Sequence, residues 1–196
     1  NGGNSTVAHE LGQRLRWPVF ADILSNGRRK HRYKLDQKPC EAVIHFGGQF
    51  ISKELLTYVA SSKPSTYLHI SHHGEIFDPE HLVTKRLVGE ITLNIEPRYG
   101  WLNEWKEESI YDPLFSNFEM HFPDVTSLFI GNSLPIRQAN ASFFPKNPIK
   151  VFANRGLSGI DGNIATAAGI AKARAGKTVA IIGDQTFLHD LNSLSL

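Results

Sequence analysis

The sequence predicts an α/β protein made of two three-layer α/β/α units with mainly parallel sheets. Short continuous apolar runs such as Val179 to Ile182 recur between helix-like segments, the mark of strands covered on both faces. Several runs stop at glycine or a small polar residue and re-enter a helix-like pattern, as at Gly131 and Gly183. The rhythm breaks between residues 97 and 125, where Pro97, Trp101, Trp105, Pro113 and Pro123 follow no clean period. A domain boundary is expected there, dividing the chain into residues 1–110 and 111–196.

Taken in order, Thr6 to Arg16 reads as a helix. Trp17 to Ala21 reads as a short strand with Pro18 near its start, where a missing N–H matters least. Glu41 to Phe46 is a second strand, ending at Gly47-Gly48. Phe50 to Ser61 is a helix with Leu55, Leu56 and Val59 on one face. Thr66 to Ile70 and Glu90 to Ile95 complete the strands of the first unit. In the second unit, strands are expected at Ser127–Ile130, Ile149–Phe152 and Thr178–Ile182. Between the last two lies a small-residue helix whose buried stripe is expected to be Ile164, Ala167, Ala168 and Ala171.

Composition narrows the function. With 41% hydrophobic residues there is ample material for a core, and a net charge of +2 leaves no broad nucleic-acid footprint. The one dense basic run, Arg28-Arg29-Lys30-His31-Arg32, follows the turn signal Asn26-Gly27 and reads as a solvated loop. The single cysteine, Cys40, forbids an intrachain disulfide and fits a reducing compartment. No apolar run is long enough to span a bilayer, and no signal peptide is visible. The chain opens at Asn1 without a methionine and stops at Leu196 inside the apolar pattern Leu188, Leu191, Leu194. A piece of a longer protein is expected.

Chemistry concentrates in three strand-end turns. Gly183-Asp184 follows the last strand, at the edge where open α/β sheets bind ligands. An aspartate there can hold a divalent cation while the N–H groups after it hold phosphate oxygens, an arrangement that suits magnesium. The plainer reading is a helix N-cap. In Asn154 to Gly162, three glycines permit tight turns, and Ile160 is suited to press on a flat or bent ligand. Asp161 is expected to cap the next helix. Arg155 offers a fork for a carboxylate, or an ordinary salt bridge. In Gly131 to Arg137, Asn132 and Ser133 can donate hydrogen bonds and Arg137 can meet a second carboxylate.

These residues carry a resemblance. Gly131-Asn132-Ser133 with Arg137, Asn154-Arg155-Gly156 with Ser158 to Gly162, and Gly183-Asp184 with Asp190-Leu191-Asn192 together resemble the 2-succinyl-5-enolpyruvyl-6-hydroxy-3-cyclohexene-1-carboxylate (SEPHCHC) synthases. These are thiamine-diphosphate enzymes of menaquinone and phylloquinone synthesis. The resemblance is strong over 127–196 and looser before, through Trp17-Pro18, Ala21 to Ser25 and Asp78-Pro79. It implies a Rossmann-like central domain followed by the start of a diphosphate-binding domain. It implies a transferase that decarboxylates 2-oxoglutarate on thiamine diphosphate and adds the succinyl carbanion equivalent to isochorismate. Arg137 and Arg155 match positions that face substrate, with Asn132 and Ser133 in the polar turn beside them. Ile160 matches the ridge that bends the cofactor, with Ser158 and Gly159 leading to it. Asp184 matches a ligand of Mg2+ (or Mn2+), and Gly183, Gln185 and Thr186 match the diphosphate turn.

The resemblance further implies a homo-oligomer, dimer or tetramer, in the intact protein. It places the activating glutamate in a preceding domain and a second metal motif beyond Leu196, so the segment alone is expected to be inactive. The compartment follows the source: cytoplasm in a bacterium, plastid in a plant. Lys53 stands where some relatives carry basic residues, but Glu54 follows it, and a solvated helix face is the better reading. His69, His72 and His73 lack an obvious tetrahedral partner set and read as a solvent-exposed loop. Two alternatives stay open: another carboligase of acetohydroxyacid synthase type, and a non-catalytic α/β nucleotide-binding or interaction module.

Overall fold

The computed structural model describes residues 5–25, 32–35, 38–74, 77–89, 96, 100 and 102–195. They fall into two compact units, Asn1–Glu108 and Ser109–Leu196. Both are α/β, with parallel sheets and flanking helices.

The first unit opens with α1 (Ser5–Leu15), as the periodicity predicts. Leu11 and Leu15, one turn apart, are its buried residues. The helix stops where Arg16 takes a left-handed φ of 52° and Trp17 N–H reaches back to the Gly12 carbonyl at 2.9 Å. The expected strand at Trp17 to Ala21 does not form; those residues are irregular. Their apolar character serves side-chain packing instead. Phe20 meets Tyr33 and Trp105 edge-on, with centroids 5.7 and 5.4 Å away, a favoured arrangement for aromatic pairs.

After β1 (Arg32–Tyr33) come β2 (Ala42–Phe46) and α2 (Lys53–Ser62). The helix starts later than hydrophobicity suggests because Ser52 caps it, its hydroxyl accepting from Leu55 N–H at 3.1 Å. β3 (Thr66–Ser71) pairs parallel to β2 with Ala42 opposite Thr66 and Phe46 opposite Ile70. β4 (Lys85–Val88) pairs parallel on the far side of β3, Leu68 opposite Lys85. Sequence reasoning missed β4 because two bases open it and no alternation marks it; charge of this kind is common on outer strands. The strand expected at Glu90 to Ile95 lies outside the described residues.

The helix and sheet meet through Leu55, Val59 and Tyr67, flanked by Val43, Phe50, Leu82 and Val83. β5 (Glu107–Glu108) pairs antiparallel to β1. This explains Arg32, the one member of the basic run among the described residues. Its side chain is 19% exposed and joins Glu54 at 2.8 Å and Glu108 at 2.9 Å, so it is a bridge, not a solvated loop residue.

A second correction concerns the histidines. His72 and His73 are exposed, but His69 is 2% exposed, opposite His45 in the β2–β3 ladder. The two rings lie 4.6 Å apart. His45 Nε2–H donates to the Gly48 carbonyl at 2.8 Å, which leaves Nδ1 to accept from the Tyr67 hydroxyl at 3.1 Å. His69 Nε2–H donates to the Gly47 carbonyl at 2.7 Å. Burial, reinforced by the neighbouring His69, drives the His45 pKa down to about 4. Burial and the Asp78 carboxylate push the Tyr67 hydroxyl up to about 12. Both imidazoles therefore hold the Gly47-Gly48 turn.

The second unit begins with two single-turn helices, α3 (Pro113–Ser116) and α4 (Phe118–His121). Asp112 caps α3 by accepting from Leu114 and Phe115 N–H, each at 3.0 Å. Then follow β6 (Val125–Ile130), α5 (Leu134–Ser142), β7 (Lys150–Phe152), α6 (Asn163–Ala173), β8 (Lys177–Ile181) and α7 (Asp184–His189). The sheet order is β7-β6-β8, all parallel. Leu128, Phe129 and Ile130 on the central strand are wholly buried, each burial stabilising by about 1.5–3 kcal/mol. Phe118, Ile136, Ala139 and Phe143 extend this core, Phe118 standing 5.2 Å from Phe143 edge-on.

The expected stripe of α6 is wrong in part. Asn163 and Ala167 are buried, whereas Ala168 and Ala171 are exposed. The helix is small and apolar on nearly every side, so its hydrophobic pattern carries too little contrast to fix its rotation.

Candidate functional site

Because β6 lies between β7 and β8, the winding of the second sheet reverses there. Such a switch point opens a crevice at the carboxyl ends of the strands. The parallel sheet of the first unit runs in plain sequence order, β2-β3-β4, and among the described residues offers no reversal.

All three predicted turns leave this edge. The turn after β6 packs tightly on the one after β8. Gly131 N–H donates to the Ile181 carbonyl at 2.8 Å, and a Cβ at Gly131 would sit 3.1 Å from Ile182 Cγ2. A larger residue would push the two turns apart.

Asn132 then joins the first turn to the second. It is 4% exposed, and every hydrogen-bonding group on its side chain is engaged. Nδ2 donates to the carbonyls of Asn154 and Gly159, each at 2.8 Å. Oδ1 accepts from Arg155 Nη1 at 2.9 Å. These three bonds also fix the amide orientation, since reversing it would oppose like groups. Asn154 continues the network by donating to Thr166 Oγ1 at 3.1 Å, and the Thr166 hydroxyl donates to the Gly162 carbonyl at 2.7 Å. Asn132 does donate, as its residue type suggests, and both of its donors are spent on carbonyls of the protein itself.

Ser133 is exposed, with φ 71° and ψ −122°. Such a conformation costs a non-glycine residue about 1–3 kcal/mol. Its hydroxyl does not cap α5, and Arg137 is also exposed, with no ion pair among the described residues. Arg155 is half-buried. Its bond to Asn132 leaves most of the guanidinium fork unengaged among the described residues, so the ordinary salt bridge is not what holds it.

Ser158 has φ 58°, Gly159 is exposed, and Ile160 is half-buried ahead of Gly162, which supplies the N-cap of α6 at φ 65°. Asp161 therefore does not cap its own helix. Its carboxylate faces His189 Nδ1 at 3.1 Å. The capping carboxylate comes from Asp190, whose Oδ2 accepts from Ile164 N–H at 2.6 Å and Ala165 N–H at 3.4 Å. Ser193 Oγ donates to its other oxygen at 2.7 Å. The Ser193 bond, with the helix N–H groups behind it, holds the Asp190 carboxyl below its ordinary value. Its stabilisation is thus present above the usual carboxylate range and lost as pH falls through the lowered pKa. Sequence reading quoted Asp190 without a role; its partners lie 25 and 26 residues back, and no local spacing reports them.

At the third turn, Gly183 begins α7 in extended conformation without a side-chain cap. Asp184 and Gln185 are exposed, whereas Thr186 is 3% exposed. The N–H groups of Asp184, Gln185 and Thr186 belong to the first helical turn and have no intrahelical partner. Asp184 takes no ion pair among the described residues. A hard carboxylate oxygen beside unengaged N–H donors fits a magnesium–diphosphate group chemically. Among the described residues, no cluster of three or more His, Cys, Asp or Glu side chains is arranged to hold a metal unaided. Nor is any helix long and apolar enough to cross a membrane. Lys53 lies in the first unit, exposed at the start of α2.

A parallel sheet with reversed winding and polar turns at its carboxyl edge defines an α/β protein whose candidate site lies at the strand ends. The family described as the middle domain of thiamine pyrophosphate matches residues 3–110, and the chain belongs to that family of thiamine pyrophosphate enzymes. Over nearly its whole length it is similar to proteins named SEPHCHC synthase. It is 32% identical to that of Rubrobacter xylanophilus over 97% of this chain and 40% of the relative. Identity is 33% with that of Shewanella frigidimarina, covering 95% and 38%. It is 34% with that of Syntrophus aciditrophicus, covering 98% and 40%. The chain thus spans about two fifths of the length of these curated relatives.

Proposed function

We propose that this chain is part of a SEPHCHC synthase, a transferase that decarboxylates 2-oxoglutarate and adds the remaining succinyl unit to isochorismate in menaquinone or phylloquinone synthesis. The observation that carries the reading is the Asn132 hub. It gathers a glycine turn, an arginine and the approach to an apolar ridge at one switch point, beside a strand-end aspartate that takes no ion pair among the described residues. The similarity to SEPHCHC synthases over 95–98% of the chain supports it.

Thiamine diphosphate, when bound, supplies the electron sink that stabilises the charge left by decarboxylation. In this reading Asp184 would hold Mg2+ (or Mn2+), which would neutralise diphosphate charge. The N–H groups of Gly183, Asp184, Gln185 and Thr186 take the phosphate oxygens. Ile160, with Ser158 and Gly159 before it, would supply the apolar ridge for the cofactor and exclude water there. Arg155 and Arg137 receive substrate carboxylates, for which a planar guanidinium is suited. Ser133 presents its hydroxyl beside them, and Asn132 positions Arg155 and the Gly159 carbonyl. The intact protein is a homo-oligomer in this reading.

The test uses the full-length protein that contains this chain, with thiamine diphosphate and magnesium. Carbon dioxide release from 2-oxoglutarate is followed first, then product formation on adding isochorismate, for wild type and Asp184→Ala. Turnover lost in the variant is expected. Use of pyruvate without use of 2-oxoglutarate would replace the reading with an acetohydroxyacid synthase type of carboligase.

A further inference from the structure

We propose that Asp190 is a positioning residue that sets the spacing between the Ile160 turn and the Asp184 turn, and so determines how well the two halves of a bipartite cofactor are held together. The proposal rests on the reading that thiamine diphosphate lies across these turns.

The two turns belong to different segments. Ser158 to Gly162 lead into α6, and Gly183 to Thr186 open α7. Backbone pairing in the sheet fixes where β7 and β8 end, but neither strand reaches the first turn of α6. What ties that turn to α7 is the pair of residues at the far end of α7. His189 faces Asp161, just before the N-cap, at 3.1 Å. Asp190, the C-terminal boundary residue of α7, accepts from Ile164 at 2.6 Å and Ala165 at 3.4 Å, just after it. Asp190 is itself held by Ser193 at 2.7 Å. A short helix therefore carries the candidate metal ligand at its first residue and grips the ridge turn from its last.

This arrangement also assigns the helix ends. The first N–H groups of α6 are occupied by the protein's own carboxylate, so an anionic ligand is directed to the turn at Gly183 instead. Asp190 does not touch the cofactor in this account; it acts through α6.

The test is calorimetric titration of the full-length protein with thiamine diphosphate and, separately, with inorganic pyrophosphate, both with Mg2+. Pyrophosphate probes the Gly183 turn alone. Asp190→Ala is expected to bind thiamine diphosphate about tenfold more weakly while pyrophosphate affinity stays within about twofold. Asp190→Asn keeps a capping oxygen and is expected to recover affinity to within about threefold of wild type. Ser193→Ala, which loosens Asp190 without removing it, is expected to shift thiamine diphosphate about threefold in the same direction. The milder variant keeps the test decisive if Asp190→Ala fails to fold. Equal weakening of both probes, or no change in either, would overturn the positioning role. Wild-type thiamine diphosphate affinity in Asp184→Ala would instead overturn the underlying reading, and the proposal with it.

Discussion

The Asn132 amide oxygen accepts a hydrogen bond from the Arg155 guanidinium at 2.9 Å, across 23 residues of chain. Because Asn132 is buried and its amide hydrogens reach two further carbonyls, the arginine is aimed by a group that cannot turn. Asn132→Leu keeps the volume and removes all three bonds. It is expected to lower stability by about 1–3 kcal/mol and to cut turnover of the full-length enzyme by about 100-fold. Urea unfolding and steady-state kinetics check the two effects; unchanged turnover would remove Asn132 from the site.

Asp184 is exposed and free of ion pairs among the described residues, so its removal should leave the fold intact. Asp184→Ala is expected to unfold within about 0.5 kcal/mol of wild type in metal-free buffer. Saturating magnesium and pyrophosphate should stabilise wild type by about 2.7 kcal/mol at one hundred times the dissociation constant. The variant should gain little. A thermal-shift titration distinguishes the two proteins, and equal gains would deny Asp184 a metal role.

Ser133 holds φ 71° and ψ −122°, a conformation that glycine adopts readily. Ser133→Gly is expected to raise stability by about 1 kcal/mol, strain relief outweighing the extra freedom of the unfolded chain. Turnover should nevertheless fall, because the hydroxyl is lost. A variant both less stable and fully active would contradict the argument.

His45 gives the first unit an acid limit. Its folded pKa of about 4 lies below the usual 6.5, so the unfolded chain binds the extra proton between these values. Stability is therefore complete above pH 6.5 and declines as pH falls towards 4. Between pH 7 and pH 5 the loss should be about 2 kcal/mol. All three tryptophans, Trp17, Trp101 and Trp105, precede Ser109, so indole fluorescence follows this unit alone during urea unfolding. In His45→Phe the slope should largely vanish; a wild-type pH dependence in that variant would implicate other groups.

Much of the second unit was legible because its strands are continuous apolar runs and its turns are marked by glycine. Leu128 to Ile130 could hardly lie anywhere but in a core. The first unit was harder. Trp17 to Ala21 reads as strand by composition, yet Phe20 serves a side-chain cluster. Lys85 to Val88 opens with two basic residues and drew no assignment, yet it pairs with β3. Local pattern cannot separate these cases, since the deciding partners, Trp105 and β3, are remote. The same limit applies to the site. Ile160, Asp184 and the arginines were singled out as candidates by residue type and position, whereas the bonds of Asn132, and those from Asp190 to Ile164 and Ala165, span more than 20 residues and exist only after folding.

The Asn132 hub has an evolutionary consequence. It divides the site into a frame and a reading surface. Asn132, Thr166 and Asp190 direct their polar atoms at the protein, whereas Ser133, Arg137 and Gln185 leave theirs facing solution. Exposed side chains can change without disturbing the bonds that hold the loops, so under the proposed function new substrate preferences can arise on an unaltered scaffold. Substitution of Asn132 disturbs both loops that its bonds join. Innovation in this fold is therefore expected to accumulate at the exposed positions, with the buried asparagine as its fixed point.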